Sequence, residues 1–526
     1  MARGYLAIVL HAHLPFVRHP EYPEFMEEEW FYEAMSETYL PLLAMLEGFE
    51  RDGVNACFTM GLSPPLCEMM ADPLLQERYL HKLVKLKQLT DMEVQRTAGT
   101  AMNAAAKAYQ EHFAQCREIF EYKWGRNVVA GFRHYQEKGY LEIVTCGATH
   151  GFLPLMATES AVHAQLHVAV ANYRKHFGRA PRGIWLPECA YAPGLDRHLK
   201  EAGLQFFFVD THGVAFGAPR PRYGPFRPVL CPSGVAAFAR DGESSKQVWS
   251  SEEGYPGDGD YREFYRDLGY EAEYDYIKPF LASDGLRRNV GIKYHRITSK
   301  AGHGEKQPYV PRWAADKAAA HAGNFLFNRQ RQACWLNDTL GVAPCIVAPY
   351  DAELFGHWWY EGPQFLNFLM RKVAYDQKEI ALTTPSRFLD QFRRHQVVEV
   401  SASSWGDKGY YEVWLSGANN WIYRHLHVAE KRMQELVKRF PSPNPLQHRA
   451  LKQTARELLL AQSSDWAFIM NAGTVVSYAE KRTREHLHRF NDLFHGLIQN
   501  CLVEASVQDM EWRDNIFQEI DYRVYA

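Results

Sequence analysis

Seven short runs of consecutive apolar residues recur along the chain, separated by longer stretches with helical spacing of apolar positions. The runs are continuous rather than alternating, which is typical of parallel strands covered by helices on both faces. One intervening stretch, residues 158–178, begins at a possible capping threonine and ends at a glycine, as helices often do. Repeated strand–helix units predict a βα barrel or a doubly wound sheet. The predicted strands are residues 5–10, 55–60, 141–146, 182–187, 205–210, 234–239 and 345–350.

Polar residues follow most of these runs at the point where each strand should end. The clearest cases are HAHLP after the first run, GATHGFLP after the third, ECAY after the fourth and DAELFGHWW after the seventh. Active sites of βα barrels gather at the C-terminal ends of the strands. The pattern therefore predicts a catalytic site at this edge of the sheet.

Three regions depart from the strand–helix alternation. Residues 68–123 have helical periodicity throughout and predict a helical insert. Residues 211–310 are rich in Gly, Pro and Tyr and predict long loops, which are usually functional in a compact protein. From about residue 415 the chain reads as amphipathic helices. We therefore expect a catalytic domain over residues 1–400, containing the insert, and a helical domain over residues 401–526.

The composition is that of a globular enzyme, with 46% hydrophobic and 23% charged residues in 526. The net charge of −3 gives no basic field for nucleic acid. No apolar run approaches the roughly 18 residues of a membrane span, and the first run is too short for a signal peptide. Nine cysteines without a CxxC pair favour reduced thiols. We expect a cytoplasmic protein that binds neither nucleic acid nor membrane, and the sequence leaves its oligomeric state open.

Two carboxylates at strand ends are candidates for acid–base chemistry. Glu188 follows the fourth run, beside Trp185 and Tyr191, and Asp351 follows the seventh. A retaining glycosidase needs two carboxyl groups about 5–5.5 Å apart, one ionised and one protonated. Glu353 is the rival to Asp351, but it lies just past the strand and is expected to point elsewhere. The sequence therefore favours Asp351.

Histidines form a second candidate group at the same edge of the sheet. His11 and His13 are two residues apart on a predicted strand, so their side chains share one face. They could bind sugar hydroxyls, hold a metal ion in a deacetylase or amidohydrolase-like enzyme, or be satisfied core histidines. His150 and His212, which follow two other runs, could join either arrangement.

Aromatic residues make up 14% of the chain and are concentrated in residues 401–423, which include Trp405 and Trp414. The Gly and Ser residues between these rings predict a loop. Rings on a loop usually pack beneath it, but amphipathic rings near carboxylates also suit a sugar-binding surface. Asp465 is a polar residue on an apolar helical stretch. It could be a helix cap, an ion-pair partner or a ligand for a hydroxyl group.

Five motifs, in this order, resemble those of family 57 of the glycoside hydrolases: HAHLP, CGATHGFLPL, WLPECAY, APYDAELFGHWW and SSDWAF. The resemblance extends over nearly the whole chain and is nearest to the 1,4-α-glucan branching enzymes of the family and to α-amylases similar to them. It implies an incomplete (β/α)7 barrel with a helical insert and a C-terminal helical domain. It also implies a retaining mechanism on α-1,4-glucan without a metal cofactor.

The resemblance also implies roles for individual residues. Glu188 matches the family nucleophile and Asp351 the acid/base. Four residues match positions that bind the donor sugar: His11, His13, His150 and Asp465. Trp405 and Trp414 match rings that line the site, and Tyr270 stands for a third ring.

Branching enzymes of this family carry a tyrosine on a mobile loop after the nucleophile, which shields the intermediate from water. The corresponding segment here is residues 217–260; it looks short, and its candidates are Tyr223 and Tyr255. The expected function is cleavage of α-1,4 links and formation of α-1,6 branches, as in glycogen biosynthesis. The first alternative is an α-amylase, followed by a metal-dependent deacetylase-like enzyme and a catalytically inactive glucan-binding protein.

Overall fold

The computed structural model describes residues 2–250, 253–298 and 306–526. Each of the seven predicted strands is present, and two further strands were not predicted because each lies in an apolar run of only three residues. The strands are β1 (Gly4–Ala12), β2 (Phe58–Leu62), β3 (Leu141–Val144), β4 (Gly183–Ile184), β5 (Phe206–Val209), β6 (Val229–Leu230), β7 (Ala236–Ala239), β8 (Cys345–Asp351) and β9 (Ile380–Leu382).

The strands pair mainly in parallel. One sheet has the order β3-β2-β1-β8, with β9 beside the start of β1, and a second has the order β4-β5-β7-β6, in which only β6 is antiparallel. A parallel bridge between Thr145 and Ile184 joins β3 to β4. The Asp241 backbone N–H, just after β7, donates to the Val347 carbonyl of β8 at 2.8 Å. The fold is therefore mixed α/β, and hydrogen bonds link its strands in the order β1-β2-β3-β4-β5-β7-β8 and back to β1.

The register of β1 brings candidate site residues side by side. His11 pairs with Asp351 of β8 on one side and with Gly61 of β2 on the other. A Cβ atom at Gly61 would lie 3.0 Å from the His11 ring, so only glycine leaves room for that side chain without displacement. The sheet thus places a histidine directly beside a carboxylate at the C-terminal edge.

The strands are buried on both faces, as their continuous apolar runs predicted. Alternate residues of β1 enter two different clusters. Leu6, Ile8 and Leu10 pack with the surrounding helices. Tyr5, Ala7 and Val9 pack with side chains from the facing strands, namely Val144, Trp185, Phe206, Phe208, Phe238 and Val347.

Helices connect the strands and form most of the chain after residue 420. Thr158 caps α7 by accepting from the Ala161 N–H, and Gly178 ends it with a left-handed φ of 67°. A π-helical turn, Met35–Tyr39, joins α1 to α2, and a second, Glu118–Lys123, follows α5. The helices in the first half are α1 (Glu28–Ala34), α2 (Leu40–Asp52), α3 (Pro64–Ala71), α4 (Pro73–Arg96), α5 (Asn103–Arg117), α6 (Val128–Glu137), α7 (Glu159–Phe177), α8 (Leu195–Glu201), α9 (Thr211–Ala215) and α10 (Gly242–Trp249). The others are α11 (Leu268–Glu271), α12 (Tyr274–Ile277), α13 (Pro311–Leu340), α14 (Gly362–Tyr375), α15 (Pro385–Gln391), α16 (Trp421–Arg439), α17 (Pro445–Ala461), α18 (Ser464–Ala472), α19 (Val476–Ile498) and α20 (Glu504–Arg513).

Two expectations from the sequence, reduced cysteines and the lack of a membrane-spanning segment, can be compared with the structure. The nine cysteines are all free. Across the described ranges, none of the helices combines the length and apolarity needed to cross a bilayer.

Candidate active site

Glu188 lies in a tight turn directly after β4. The turn spans Pro187–Cys189, and Glu188 has a φ of 62°, in the left-handed region that disfavours residues with a Cβ atom. That conformation costs about 1–2 kcal/mol, and residues held in it cluster at functional sites. The side chain is nevertheless buried, so the surrounding contacts hold it firmly in place.

Each oxygen of the Glu188 carboxylate accepts one hydrogen bond. The Ser464 hydroxyl donates to Oε1 at 2.8 Å, and the Trp405 indole N–H donates to Oε2 at 3.0 Å. Burial raises the pKa of Glu188, the charge of Asp465 adds to that rise, and the two donors oppose it. Donors on both oxygens favour the ionised form, which a nucleophile requires.

Asp351 is the last residue of β8 and stands in a different environment. Burial raises its pKa well above the ordinary value, and the charges of Glu353 and Glu188 raise it further. Among the described residues, none donates a hydrogen bond to its carboxyl group, and Arg240 alone opposes the shift. A carboxyl group in this setting favours the protonated form, which a general acid requires.

Glu353 turns towards β1 rather than towards a cavity. Its Oε1 accepts from the His13 backbone N–H at 3.1 Å and from the Tyr39 hydroxyl, which the π-helical turn presents. Burial raises the pKa of Glu353 to about 7. Its carboxyl group is therefore occupied by two protein donors, whereas that of Asp351 is not.

The histidines predicted from HAHLP and GATHGFLP form one contiguous group with the helical C-terminal part of the chain. His11 Nε2 lies 2.9 Å from His150 Nε2, and His150 Nδ1 lies 2.8 Å from the Ser464 hydroxyl. His13 Nδ1 lies 2.8 Å from the Ser63 hydroxyl. The rings of His13 and His150 stack with centroids 3.7 Å apart. With His11 and His150 neutral, these contacts fit a chain of donors running from His11 through His150 and Ser464 to the Glu188 carboxylate.

Asp465 and His13 form an ion pair at this site. His13 Nε2 lies 2.9 Å from Asp465 Oδ2. Burial raises the pKa of Asp465, but His13 outweighs that effect and the pKa falls to about 2. Burial likewise lowers the pKa of His13, but Asp465 outweighs it and the pKa rises. Burial and neighbouring histidines lower the pKa values of His11 and His150 well below the ordinary value. These shifts of the pKa favour the charged form of His13 and the neutral forms of His11 and His150.

Two sets of side chains here have the spacing to hold a metal ion. They are His13, His150 and Asp465, and His11, Cys146 and His150, with the ligand atoms of each set within 4.8 Å of one another. Both ring nitrogens of His13 and of His150 already have protein partners. This pattern favours a hydrogen-bonding network over a set of open ligands.

Of the two predicted tryptophans, Trp405 contacts the site and Trp414 lies beneath the loop that carries Trp405. Trp405 touches Glu188 and packs edge-on against Trp185, with ring centroids 5.0 Å apart. Trp414, predicted to line the site, is only 1% exposed and packs against Phe152 beneath the loop. A Cβ atom at Gly406 would lie 2.7 Å from the Trp414 ring, so this ring supports the Trp405 loop from below.

Two other candidates lie outside the carboxylate and histidine group. Tyr270 is 54% exposed, and its backbone contacts are with Asp267 and Arg287, so the described contacts do not bring it to the site. His212 Nε2 lies 2.5 Å from the Gly409 carbonyl, which ties β5 to the Trp405 loop.

The segment 217–260 does not present its predicted tyrosines to the site. The Tyr255 hydroxyl donates to Asn324, and its ring stacks on His321. Tyr223 packs under Arg222. Residues 251 and 252 of this segment lie outside the described residues.

Sequence reasoning missed two residues that contact the site. Ser464 bridges His150 and Glu188; its signal was its place in the SSDWAF motif beside Asp465. Trp249, at the end of α10, is 37% exposed with its ring centroid 6.2 Å from that of Trp405. The sequence clue to Trp249 was that it is a lone tryptophan within the segment predicted to cover the site.

Comparison with known proteins identifies the family. The model of glycosyl hydrolase family 57 matches residues 7–334, which is more than half of the chain. The chain belongs to glycosyl hydrolase family 57. A second model, of the C-terminal part of 1,4-alpha-glucan branching enzymes, matches residues 425–525 of this family 57 chain.

Branching enzymes and an alpha-amylase are among the proteins similar to this chain. A 1,4-alpha-glucan branching enzyme of Thermococcus kodakarensis is 35% identical over 98% of this family 57 chain and 78% of its own. The crystal structure of a GH57-type branching enzyme of Pyrococcus horikoshii is 34% identical, with a TM-score of 0.89 over 99% of this chain and 97% of that one. The crystal structure of the alpha-amylase AmyC of Thermotoga maritima is 47% identical, with a TM-score of 0.94 over 100% and 99% of the two chains.

The Trp405 hydrogen bond gives a test of the ionisation of Glu188 in this family 57 site. Trp405→Phe keeps a ring but removes the N–H that stabilises the carboxylate. The pKa of Glu188 then rises further, so the acid limb of the kcat/KM profile moves to higher pH. Loss of a charge-assisted hydrogen bond of about 1.5 kcal/mol corresponds to about a tenfold lower kcat/KM on that limb. An unchanged acid limb would show that Trp405 does not set the charge of the nucleophile.

Proposed function

We propose that this chain is a retaining α-glucan transglycosylase that cleaves α-1,4 links and forms α-1,6 branches. The observation that carries the proposal is the contrast between two carboxyl groups at the ends of β4 and β8, of which Glu188 is buried and Asp351 is partly buried. Glu188 has a hydrogen-bond donor on each oxygen, whereas Asp351 has two acidic neighbours and no described donor. Environments that separate the pKa values of two carboxyl groups in this way assign one as nucleophile and the other as acid.

The reaction follows from these two roles. Glu188 attacks the anomeric carbon of an α-1,4-linked glucose while Asp351 donates its proton to the departing glycosidic oxygen, and a covalent glycosyl-enzyme forms. Asp351, now ionised, accepts the proton of a 6-hydroxyl group of an acceptor chain. That oxygen attacks the anomeric carbon and releases Glu188, giving an α-1,6 branch with the original anomeric configuration.

The histidine group suits binding of the donor sugar. In this proposal His11, His13, His150 and Asp465 line the donor-sugar site, and some of the hydrogen bonds that they make to one another are replaced by bonds to the sugar hydroxyl groups. Asp465 is ionised and can accept, and protonated His13 can only donate. Asp465 also accepts from the Ser463 hydroxyl, which fixes the orientation of its carboxylate.

The proposed architecture is an incomplete (β/α)7 barrel formed by β1, β2, β3, β4, β5, β7 and β8. We assign the catalytic domain to residues 1–400, with residues 68–123 as a helical insert, and a C-terminal helical domain to residues 401–526. Trp405, Ser464 and Asp465 support the view that the second domain completes the site of the first, because they contact Glu188 and His13. The proposed setting is α-glucan or glycogen synthesis in the cytoplasm.

Hydrolysis of α-1,4-glucan is the second candidate function. The T. maritima protein that is 47% identical over the whole chain is described as an alpha-amylase. Neither Tyr223 nor Tyr255 faces the carboxylates, so water exclusion has to come from other groups. Trp249 beside Trp405 is the ring best placed to take that part.

The branching proposal predicts the products formed from amylose. A branching enzyme should give more new α-1,6 links than new reducing ends, because the intermediate passes to a sugar hydroxyl. Positioned reactants can reach effective molarities of about 10⁵ M or more, above the roughly 55 M of water. The measurement counts both products in one reaction. Mainly reducing ends would make the protein an α-amylase, and turnover of neither kind would exclude both functions.

A further inference from the structure

Two adjacent tryptophans after β8 have opposite environments. Trp359 is 1% exposed and packs against Phe355 and Phe365, in the core. Trp358 is 57% exposed. Trp359 fills the interior, so the exposure of the Trp358 ring requires a different explanation.

The turn that carries Trp358 is rigidly built. The Gly356 N–H donates to the Trp359 carbonyl at 2.7 Å, and the Trp358 N–H donates to the Glu353 carbonyl at 3.2 Å. Gly356 has a φ of 121°, and a Cβ atom there would lie 1.8 Å from the Glu37 carbonyl oxygen, so only glycine fits. His357 is anchored by its Nδ1, which lies 3.0 Å from the Glu37 carboxylate. The exposed ring is therefore held in place rather than left on a loose loop.

A second aromatic side chain orients the Trp358 ring. Phe264 stacks against it with ring centroids 4.5 Å apart and an angle of 18° between planes. The Lys293 ammonium lies 4.3 Å from the centre of the Phe264 ring. The Glu263 carboxylate accepts from the backbone N–H groups of Phe264 and Tyr265, which fixes that segment. Trp358 thus has one neighbour that stacks on it and more than half of its surface open to solvent.

This ring is continuous with the proposed catalytic site. The carbonyl that holds the Trp358 N–H belongs to Glu353, whose carboxylate accepts from the His13 backbone and whose charge acts on Asp351. The exposed indole and the acid/base therefore project from the same short segment at the same edge of the sheet.

We propose that Trp358, braced by Phe264, binds a glucose unit of a long α-glucan chain at a subsite beyond the one where cleavage occurs. The inference rests on the proposed function, since it assigns the ligand as α-glucan. A fixed, solvent-facing indole offers an apolar face on which a pyranose ring packs, and Trp358 lies on the segment that carries Asp351, seven residues further along the chain. The site favours chains long enough to reach both places at once.

The test compares long and short substrates with three variants. Trp358→Ala should raise KM for long-chain amylose about three- to tenfold, the range expected for loss of one aromatic contact. It should leave kcat/KM for a short maltooligosaccharide unchanged. Trp358→Phe keeps a ring and should restore most of the affinity. Trp335→Ala, which removes a tryptophan that is 65% exposed on α13, is the matched control and should change neither substrate.

Binding is measured separately by retardation of each protein in a gel containing amylose, with Glu188→Gln as the background to prevent turnover. Retention of the Glu188→Gln protein and weaker retention once Trp358→Ala is added would support the inference. Equal retention of the two, an equal loss on short and long substrates, or the same loss with Trp335→Ala would overturn it while leaving the proposed function intact. If the wild-type protein neither binds nor converts α-glucan, the proposed function fails, and this subsite fails with it.

Discussion

Glu188→Gln and Asp351→Asn are each expected to lower turnover on amylose by about three orders of magnitude or more. Removing an essential member of a catalytic unit has effects of that size. Gln at position 188 keeps the shape and can still contact Ser464 and Trp405, but its amide cannot attack the anomeric carbon. Asn at position 351 cannot donate a proton to the departing oxygen. Both proteins should fold and still bind amylose, as judged by thermal denaturation and retardation in amylose gels.

Glu353→Gln is the matched control for Asp351→Asn. It lies on the same segment and is equally buried, but its carboxyl group is already bound by Tyr39 and the His13 backbone. We expect Glu353→Gln to retain at least ten times the activity of Asp351→Asn. If Glu353→Gln is the more damaging change, the general acid is Glu353 and the assignment of Asp351 is wrong. If either catalytic variant keeps a tenth of wild-type activity, that residue is not essential.

Asp465→Asn is expected to lower kcat/KM by about two orders of magnitude, the usual effect of losing one pre-organised charged group. The variant keeps the side-chain shape but removes the charge that holds His13 protonated, so the pKa of His13 should fall. Because one partner of a buried ion pair is lost, the free energy of unfolding should also drop by about 3 kcal/mol. Initial rates and denaturation midpoints measure the two effects.

Asp509→Asn provides the comparison for Asp465→Asn. Asp509 pairs with Arg513 at 2.8 Å, but it is half exposed and distant in sequence from every predicted site residue. A surface pair of this kind contributes at most about 1 kcal/mol, so activity and midpoint should stay near wild type. If Asp465→Asn behaves like Asp509→Asn, the ion pair with His13 has no catalytic or structural importance.

The strands, and the positions of Glu188 and Asp351 at strand ends, could be predicted because they depend on local sequence. A continuous apolar run predicts a strand, and the first polar residue after it, such as Glu188 or Asp351, lies at the sheet edge whatever the rest of the chain does. β6 and β9 were not predicted because each lies in an apolar run of only three residues. The histidines were also candidates from the sequence, although the sequence alone could not choose between a metal site and a hydrogen-bonding network.

Contacts between distant segments account for what the sequence could not predict. The pairing of His13 with Asp465 joins residues 452 positions apart. The Gly and Ser content of residues 401–423 predicted a loop, but not which ring lies beneath it, so the burial of Trp414 was missed. For the same reason Trp249 was not predicted, because only the fold brings its ring beside that of Trp405.

Trapping of the covalent intermediate tests the central claim most directly. The Asp351→Asn protein is incubated with a maltooligosaccharyl fluoride, whose leaving group needs no proton, so the first step proceeds while the second, which needs a base, is slow. Peptide mass spectrometry then locates the sugar. We predict a glycosyl ester on the peptide that contains Glu188, absent when Glu188→Gln is added. An adduct on any other residue, or no adduct together with a product of inverted anomeric configuration, would contradict the mechanism.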